Sequence, residues 1–206
     1  GTLWGPGPGV AANVYDEAGE AADEGYLIVE LPIPGMTHSL TSDDERYLEE
    51  YWSTFEGVWN QNDWVEIDED GFWYITGRAD DTMNVAGRRV TAPEIEAAVS
   101  GTPGVSESTV VPVPDDVKGQ VPVAFVTLLS GTDPAGIEEA VREHVTEELG
   151  APFRPARVHV VSALPRTQTG KIPRGVIESV YLGNPPGNVS TLDRPEVLEE
   201  FPRHEG

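Results

Sequence analysis

The sequence predicts an α+β fold in two units, a β-rich stretch carrying one helix and then a small α+β unit. Three observations predict it. Up to Gly77 the apolar residues fall mostly in short alternating or aromatic-rich runs set off by polar, glycine-containing turns. From Met83 onward the order is strand, helix, two strands, helix, strand, loop and helix, which describes a compact α+β layer arrangement. Between the two lies "RADD" (78–81), polar and turn-like, where a boundary falls naturally. The expected division is 1–79, 80–183 and a closing proline-rich stretch, 184–206, read as an extended acidic tail on a surface.

The elements follow in order. Val10–Tyr15 and Tyr26–Leu31 alternate and read as strands joined by "DEAGEAADEG". "TSDDERYLEEYWSTF" (41–55) reads as a helix. Thr41 or Ser42 is its candidate N-cap, acids fill its first turn, and Tyr47, Leu48, Tyr51, Trp52 and Phe55 form its apolar face. "DWVEIDEDGFWYITG" (63–77) reads as a hairpin turning at "DEDG". "MNVAGRRV" (83–90) is strand-like around a glycine. "TAPEIEAAVSG" (91–101) is a helix with capping-box spacing at Thr91 and Glu94 and a stop at Gly101. "SESTVVPVPD" and "VPVAFVTLL" are strands, residues 133–150 a helix with Ile137, Val141, Val145 and Leu149 on one side, and "ARVHVVSA" (156–163) a strand. "RGVIESVYLG" then closes the unit as a short helix.

Composition narrows the function classes. The chain has 206 residues, 38% of them hydrophobic, which suffices for one or two packed domains. Its longest apolar run is nine residues and contains a proline, far short of a membrane span. No signal-peptide pattern is visible at the start, which lacks an initiator Met and reads as mid-loop, so the sequence is taken as a fragment. The absence of Cys excludes disulfides and thiolate metal sites. His38, His144, His159 and His204 show no ligand spacing, and no metal site is expected.

The formal net charge is −23, spread along the chain, with only two lysines, Lys118 and Lys171, against eleven arginines. Such a field repels itself at low salt, whereas at ~1 M salt the Debye length shrinks to ~3 Å. A salt-rich cytoplasm is therefore the expected setting. A melting temperature that does not rise between low and molar KCl would remove that expectation. The same field, with no basic stripe, argues against nucleic acid as a partner.

One loop departs from this background. "PRTQTGKIPRG" (165–175) holds three cations and no acid. It is no Walker loop, because Pro165 stands at the first glycine position and Ile172 follows the lysine. Thr167, Thr169 and Gly170 nevertheless offer donors around Lys171, an arrangement suited to an anionic group supplied from elsewhere. A solvated turn with a surface lysine is the alternative. Six of the thirteen cations lie in two windows, Arg78, Arg88 and Arg89, then Arg166, Lys171 and Arg174. Ion pairs with the surplus carboxylates account for such windows as well as an anionic ligand does.

Four blocks in order carry a family resemblance: "DWVEIDEDGFWYITGRADDTMNVAGRRVTAPEIEAAV", "VKGQVPVAFVTLL", "LPRTQTGKIPR" and "GNVSTLDRPEVLEEF". Together they resemble the C-terminal third of acetyl-CoA synthetases, members of the adenylate-forming superfamily. The resemblance implies that residues 1–79 are the β-rich closing piece of a large AMP-binding domain and that 80–183 are a small α+β lid. It implies ATP, AMP, CoA and Mg2+ as ligands, the metal held mainly by the N-terminal part, which also carries the acyl pocket and must come from the same or a complementing chain. It implies a cytoplasmic enzyme without membrane association, acting on a short-chain carboxylate.

Site residues carry over one at a time. Lys171 matches the lysine that the lid delivers to the carboxylate and α-phosphate oxygens. Asp63 matches the acid that accepts hydrogen bonds from both ribose hydroxyls. Asn62 stands before it where the family has Gly, but Asn tolerates a left-handed backbone. Arg78 matches an arginine near ribose and phosphate, Asp80 the hinge, Arg89 an arginine near the AMP phosphate, and Gly87 a glycine past which the pantetheine thiol runs. One position departs: Thr146 stands where an arginine can face the CoA 3′-phosphate, with Arg142 one turn back as a substitute. Two other readings stay open, a non-catalytic module that keeps the lid fold and another adenylate-forming ligase such as a medium-chain or peptide-synthetase enzyme.

Overall fold

The structure is a computed structural model describing residues 2–41, 43–187 and 189–204, with backbone alone for Thr2 and Asp80. The chain divides into two compact units, Gly1–Asp80 and Asp81–Gly206.

The first unit is built on a five-stranded antiparallel sheet. Its strands are β1 (Thr2–Leu3), β2 (Ala12–Tyr15), β3 (Glu24–Val29), β4 (Trp59–Ile67) and β5 (Trp73–Arg78), in the order β1-β5-β4-β3-β2. The β4–β5 hairpin turns where the sequence indicates. Asp68 accepts from the backbone N–H groups of Asp70 and Phe72, and Gly71 supplies the positive φ. Helix α1 (Asp44–Trp52) lays Tyr51 over Trp59, their rings nearly parallel with centroids 5.5 Å apart. Its cap differs from the sequence expectation. Asp43 accepts from the Arg46 N–H at 2.9 Å, so the helix begins after Thr41, and Ser42 lies outside the described residues. A carboxylate accepts that bond at least as well as a hydroxyl and also complements the helix dipole.

The second unit centres on one strand. Strands β6 (Thr82–Val85), β7 (Arg88–Thr91), β8 (Val105–Asp115), β9 (Gly119–Leu128) and β10 (Arg157–Val160) form a mixed sheet, with β8 antiparallel and β10 parallel to β9. The run Val121–Val126 is buried throughout because both faces of the sheet are covered. On one face Val110, Ala124 and Val126 meet α2 (Ala92–Ser100) and α3 (Ile137–Leu149) through Ile95, Val99, Val141 and Val145. On the other, Val111, Val123 and Phe125 meet Ile177 and Tyr181 of α4 (Arg174–Tyr181). Val105 and Val110 share a face despite their odd spacing, because a register shift between Val105 and Glu107 reverses the alternation.

Both ends of α2 are fixed by sequence. Thr91 and Glu94 form the full capping box, and Pro93 stands in the first turn. Gly101 ends the helix at an ordinary φ of −69, so its absent Cβ serves packing. A methyl there would sit 2.8 Å from His144 Nε2 on α3.

The closing residues differ from an extended tail. Pro195–Glu200 form a short 3-10 helix, and Leu192, Leu198 and Phe201 are buried with Phe125 and Tyr181. They complete the second face of the sheet, which α4 covers only in part. No helix among the described residues is long and apolar enough to cross a membrane.

Candidate functional site

The loop before α4 bonds to itself. Thr167 N–H donates to Lys171 O at 2.8 Å, Gly170 N–H to Thr167 O at 2.8 Å, and Lys171 N–H to Thr167 Oγ1 at 3.1 Å. Gly170, at φ +82, makes the reversal. The backbone on either side of Lys171 is thereby satisfied within the turn. Its side chain is exposed, and its Nζ has no ion-pair partner among the described residues.

The neighbouring cations are committed elsewhere. Arg166 donates to Gly170 O at 2.7 Å and forms an ion pair with Glu107 on β8. Arg174 is held more firmly. Its Nε and Nη2 donate to the two Glu96 oxygens at 2.8 and 2.7 Å, and its Nη1 donates to Asp81 at 2.9 Å. Glu96 Oε1 also accepts from Thr109 Oγ1 and Val110 N, each at 3.0 Å. The hydrogen bonds to Glu96, followed by burial acting the other way, leave the guanidinium pKa raised. Two of the three cations in this window are therefore structural, as the ion-pair reading of the window allows. Glu96 escaped the sequence reading. It is one acid among many on a helix, and its partner lies 78 residues away, so no local pattern reports it.

In the first unit Asp63 and Arg78 face each other across β4 and β5. Arg78 Nη1 stands 3.8 Å from Asp63 Oδ1 and donates to Gln61 O at 2.8 Å. Just before Asp63 the chain takes the left-handed conformation at Asn62, φ 63. Fully buried Asn60 supports that conformation: its Oδ1 accepts from Asn62 N at 2.8 Å and its Nδ2 donates to Asn62 Oδ1 at 3.1 Å. Asn60 was also missed, since an Asn inside an aromatic strand carries no signal of its own.

Arg89 and Gly87 lie on the β6–β7 hairpin, closed by the Val85–Arg88 pair. Both turn residues have positive φ, Ala86 at 52 and Gly87 at 76, as a two-residue type I′ connection requires. A Cβ at Gly87 would meet nothing within 4 Å, so the turn borders open space. Arg88 is exposed and Arg89 half-buried. On α3, Thr146 Oγ1 donates to Arg142 O at 2.7 Å, and Arg142 Nη1 approaches Glu138 at 4.0 Å. The side chain of Asp80 lies outside the described residues; its backbone is in the short 3-10 helix Ala79–Asp81, where the two units meet in sequence. Among the described residues no group of three or more His, Asp or Glu is placed to hold a metal ion.

Residues 94–171 match the AMP-binding enzyme C-terminal domain, and the second unit carries that domain. Over 98% of its length the chain is 42% identical to the acetyl-coenzyme A synthetase of Pyrobaculum aerophilum, covering 31% of that protein, and over 97% it is 40% identical to that of Deinococcus radiodurans, covering 30%. In structure it is similar to an acetoacetyl-CoA synthetase from Streptomyces lividans, with TM-score 0.82, 27% identity, 98% of this chain and 31% of that one. ATP-bound MatB from Rhodopseudomonas palustris follows the fold at TM-score 0.67 and 30% identity, over 84% of this chain and 34% of its own. The chain is thus homologous to the C-terminal part of acetyl-CoA synthetases and spans about a third of the length of those relatives.

Proposed function

We propose that this chain supplies the closing subdomain and the mobile lid of a cytoplasmic, ATP-dependent acetate–CoA ligase, and that Lys171 is the catalytic cation of its first step. In that step a carboxylate oxygen attacks the ATP α-phosphorus and displaces pyrophosphate. In the second, the CoA thiol attacks the acyl carbon, giving up its proton, and AMP leaves. The observation that carries the reading is the contrast within one loop. Arg166 and Arg174 are held by Glu107, Glu96 and Asp81, while Lys171 alone of the three stays exposed and without an ion-pair partner among the described residues. An ammonium group on a self-bonded turn is preorganised for charge that develops on oxygens outside its own domain.

The other roles follow the family pattern. Asp63 presents two carboxylate oxygens to the ribose diol, steadied by Arg78 opposite. Arg89 serves the AMP phosphate, and the open space at Gly87 gives the pantetheine arm its way past the β6–β7 turn. Asp80 is the hinge about which the lid changes faces between the steps. Arg142, close to Glu138, is a poor stand-in for an arginine at Thr146, so CoA affinity is lower than in enzymes that have one. The large AMP-binding domain, with Mg2+ and the acyl pocket, acts in the same or a complementing chain, and residues 1–206 alone do not catalyse the reaction. The test is acetate-dependent exchange of pyrophosphate into ATP by the complete enzyme, run beside propionate and butyrate. Asp63→Asn should raise the KM for ATP, and absence of exchange with any of the three acids would overturn the proposal.

A further inference from the structure

We propose that the segment Thr191–Asp193 is a strap that positions Lys171, with Leu192 as its positioning residue; this rests on the catalytic reading of Lys171. The lysine turn is closed on itself, so its internal hydrogen bonds fix its shape but not its seat on the domain. Beside the Arg166–Glu107 ion pair, two backbone bonds supply the seat: Gln168 N–H donates to Thr191 O at 2.9 Å, and Asp193 N–H donates to Arg166 O at 2.9 Å. They flank an antiparallel bridge between Thr167 and Leu192. The strap is held in turn by the Leu192 side chain, 5% exposed and packed in the cluster with Leu164, Phe125 and Ile177. Leu164 stands just before the loop, so the strap and the loop entry are anchored in one apolar cluster.

The strap continues as a clasp. Leu198 and Phe201 are buried on the same sheet face, Arg203 Nη1 donates to Val180 O, and His204 N–H donates to Tyr181 O at 2.7 Å. On the far side of the lysine the chain is fixed again, at Arg174. Lys171 is thereby suspended between two fixed points, one where the strap and the Arg166–Glu107 pair hold the loop before it and one at the Arg174 anchor after it. Loosening the strap leaves the lysine chemically intact and its turn hydrogen-bonded, but lets the ammonium wander. A small misplacement of a catalytic group costs up to about 10²-fold in rate.

The test uses the complete enzyme with Leu192→Ala, which removes the buried anchor, and Asp193→Pro, which removes one strap donor at an exposed position without opening a cavity. Both should accelerate amide exchange at Gln168. Both should lower kcat for acetate-dependent pyrophosphate release, on the order of 10- to 100-fold, with KM for ATP little changed and thioester formation from preformed acetyl-AMP spared. Leu192→Met should recover most of the loss. Equal loss in both half-reactions, or faster Gln168 exchange with undiminished pyrophosphate release, would overturn the strap. Lys171→Ala separates the two proposals. If it abolishes adenylation while the strap variants do not, only the strap falls; if it is fully active, both fall.

Discussion

Arg174 and Lys171 stand three residues apart and are treated in opposite ways. The arginine is folded against Glu96 and Asp81, with each of its hydrogen-bonding partners on a different element from α4. The lysine is held by its backbone and, among the described residues, has no ion-pair partner at its tip. In a chain of net charge −23 carboxylates are plentiful, so an ion pair by itself says little about function. What separates the two is commitment. A planar fork suits a fixed carboxylate, and a flexible ammonium suits a target that comes and goes.

The sharpest way to break that contrast is to remove each cation. Arg174→Ala should cost on the order of 3 kcal/mol of unfolding free energy, because it leaves the partly buried Glu96 and Asp81 carboxylates without the guanidinium that balances their charge. Lys171→Ala should move stability by less than about 0.5 kcal/mol, as a surface change does. Urea melts of both variants decide it, and equal losses would erase the distinction. A smaller effect is expected at the β6–β7 turn. Ala86 pays for its positive φ with Cβ crowding, so Ala86→Gly should raise stability by up to about 1 kcal/mol.

The smallest effect sharpens the comparison from the acidic side. Glu178, one turn beyond Arg174 on α4, is half-buried, and burial alone raises its pKa above 4.5. A raised carboxyl favours folding at pH values below its unfolded pKa, and that contribution is lost as pH rises through the folded value. Glu178→Gln should therefore stabilise the chain at neutral pH by less than about 1 kcal/mol. Its advantage should shrink as pH falls through 4.5, as the carboxyl becomes protonated in the unfolded as well as the folded chain. Paired melts at pH 4 and pH 7 measure the sign.

Local chemistry made much of the fold legible. The capping box at Thr91 and Glu94, the Asp68–Gly71 turn and the unbroken apolar run Val121–Val126 each declare their structure within a few residues. The tolerance of Asn for a left-handed backbone likewise allowed for the φ of Asn62. What stayed hidden depends on partners distant in sequence. The apolar spacing of α1 runs on to Phe55, but the helix stops at Trp52, and Phe55 turns to the rings of Tyr15 and Tyr26 instead. Pro-rich spacing made 184–206 look extended, while Leu192, Leu198 and Phe201 bury against strands some seventy residues earlier. Lys171 stood out through its loop, but that Arg166 and Arg174 are structural required Glu107 and Glu96, which nothing in their neighbourhoods marks.

The most direct measurement compares the two half-reactions of the complete enzyme carrying Lys171→Ala. Acetate-dependent pyrophosphate release should fall by on the order of 10²–10³-fold, the usual cost of losing one charge-stabilising donor, while thioester formation from preformed acetyl-AMP stays near the wild-type rate. Equal loss in the two, or no loss in the first, would contradict the account.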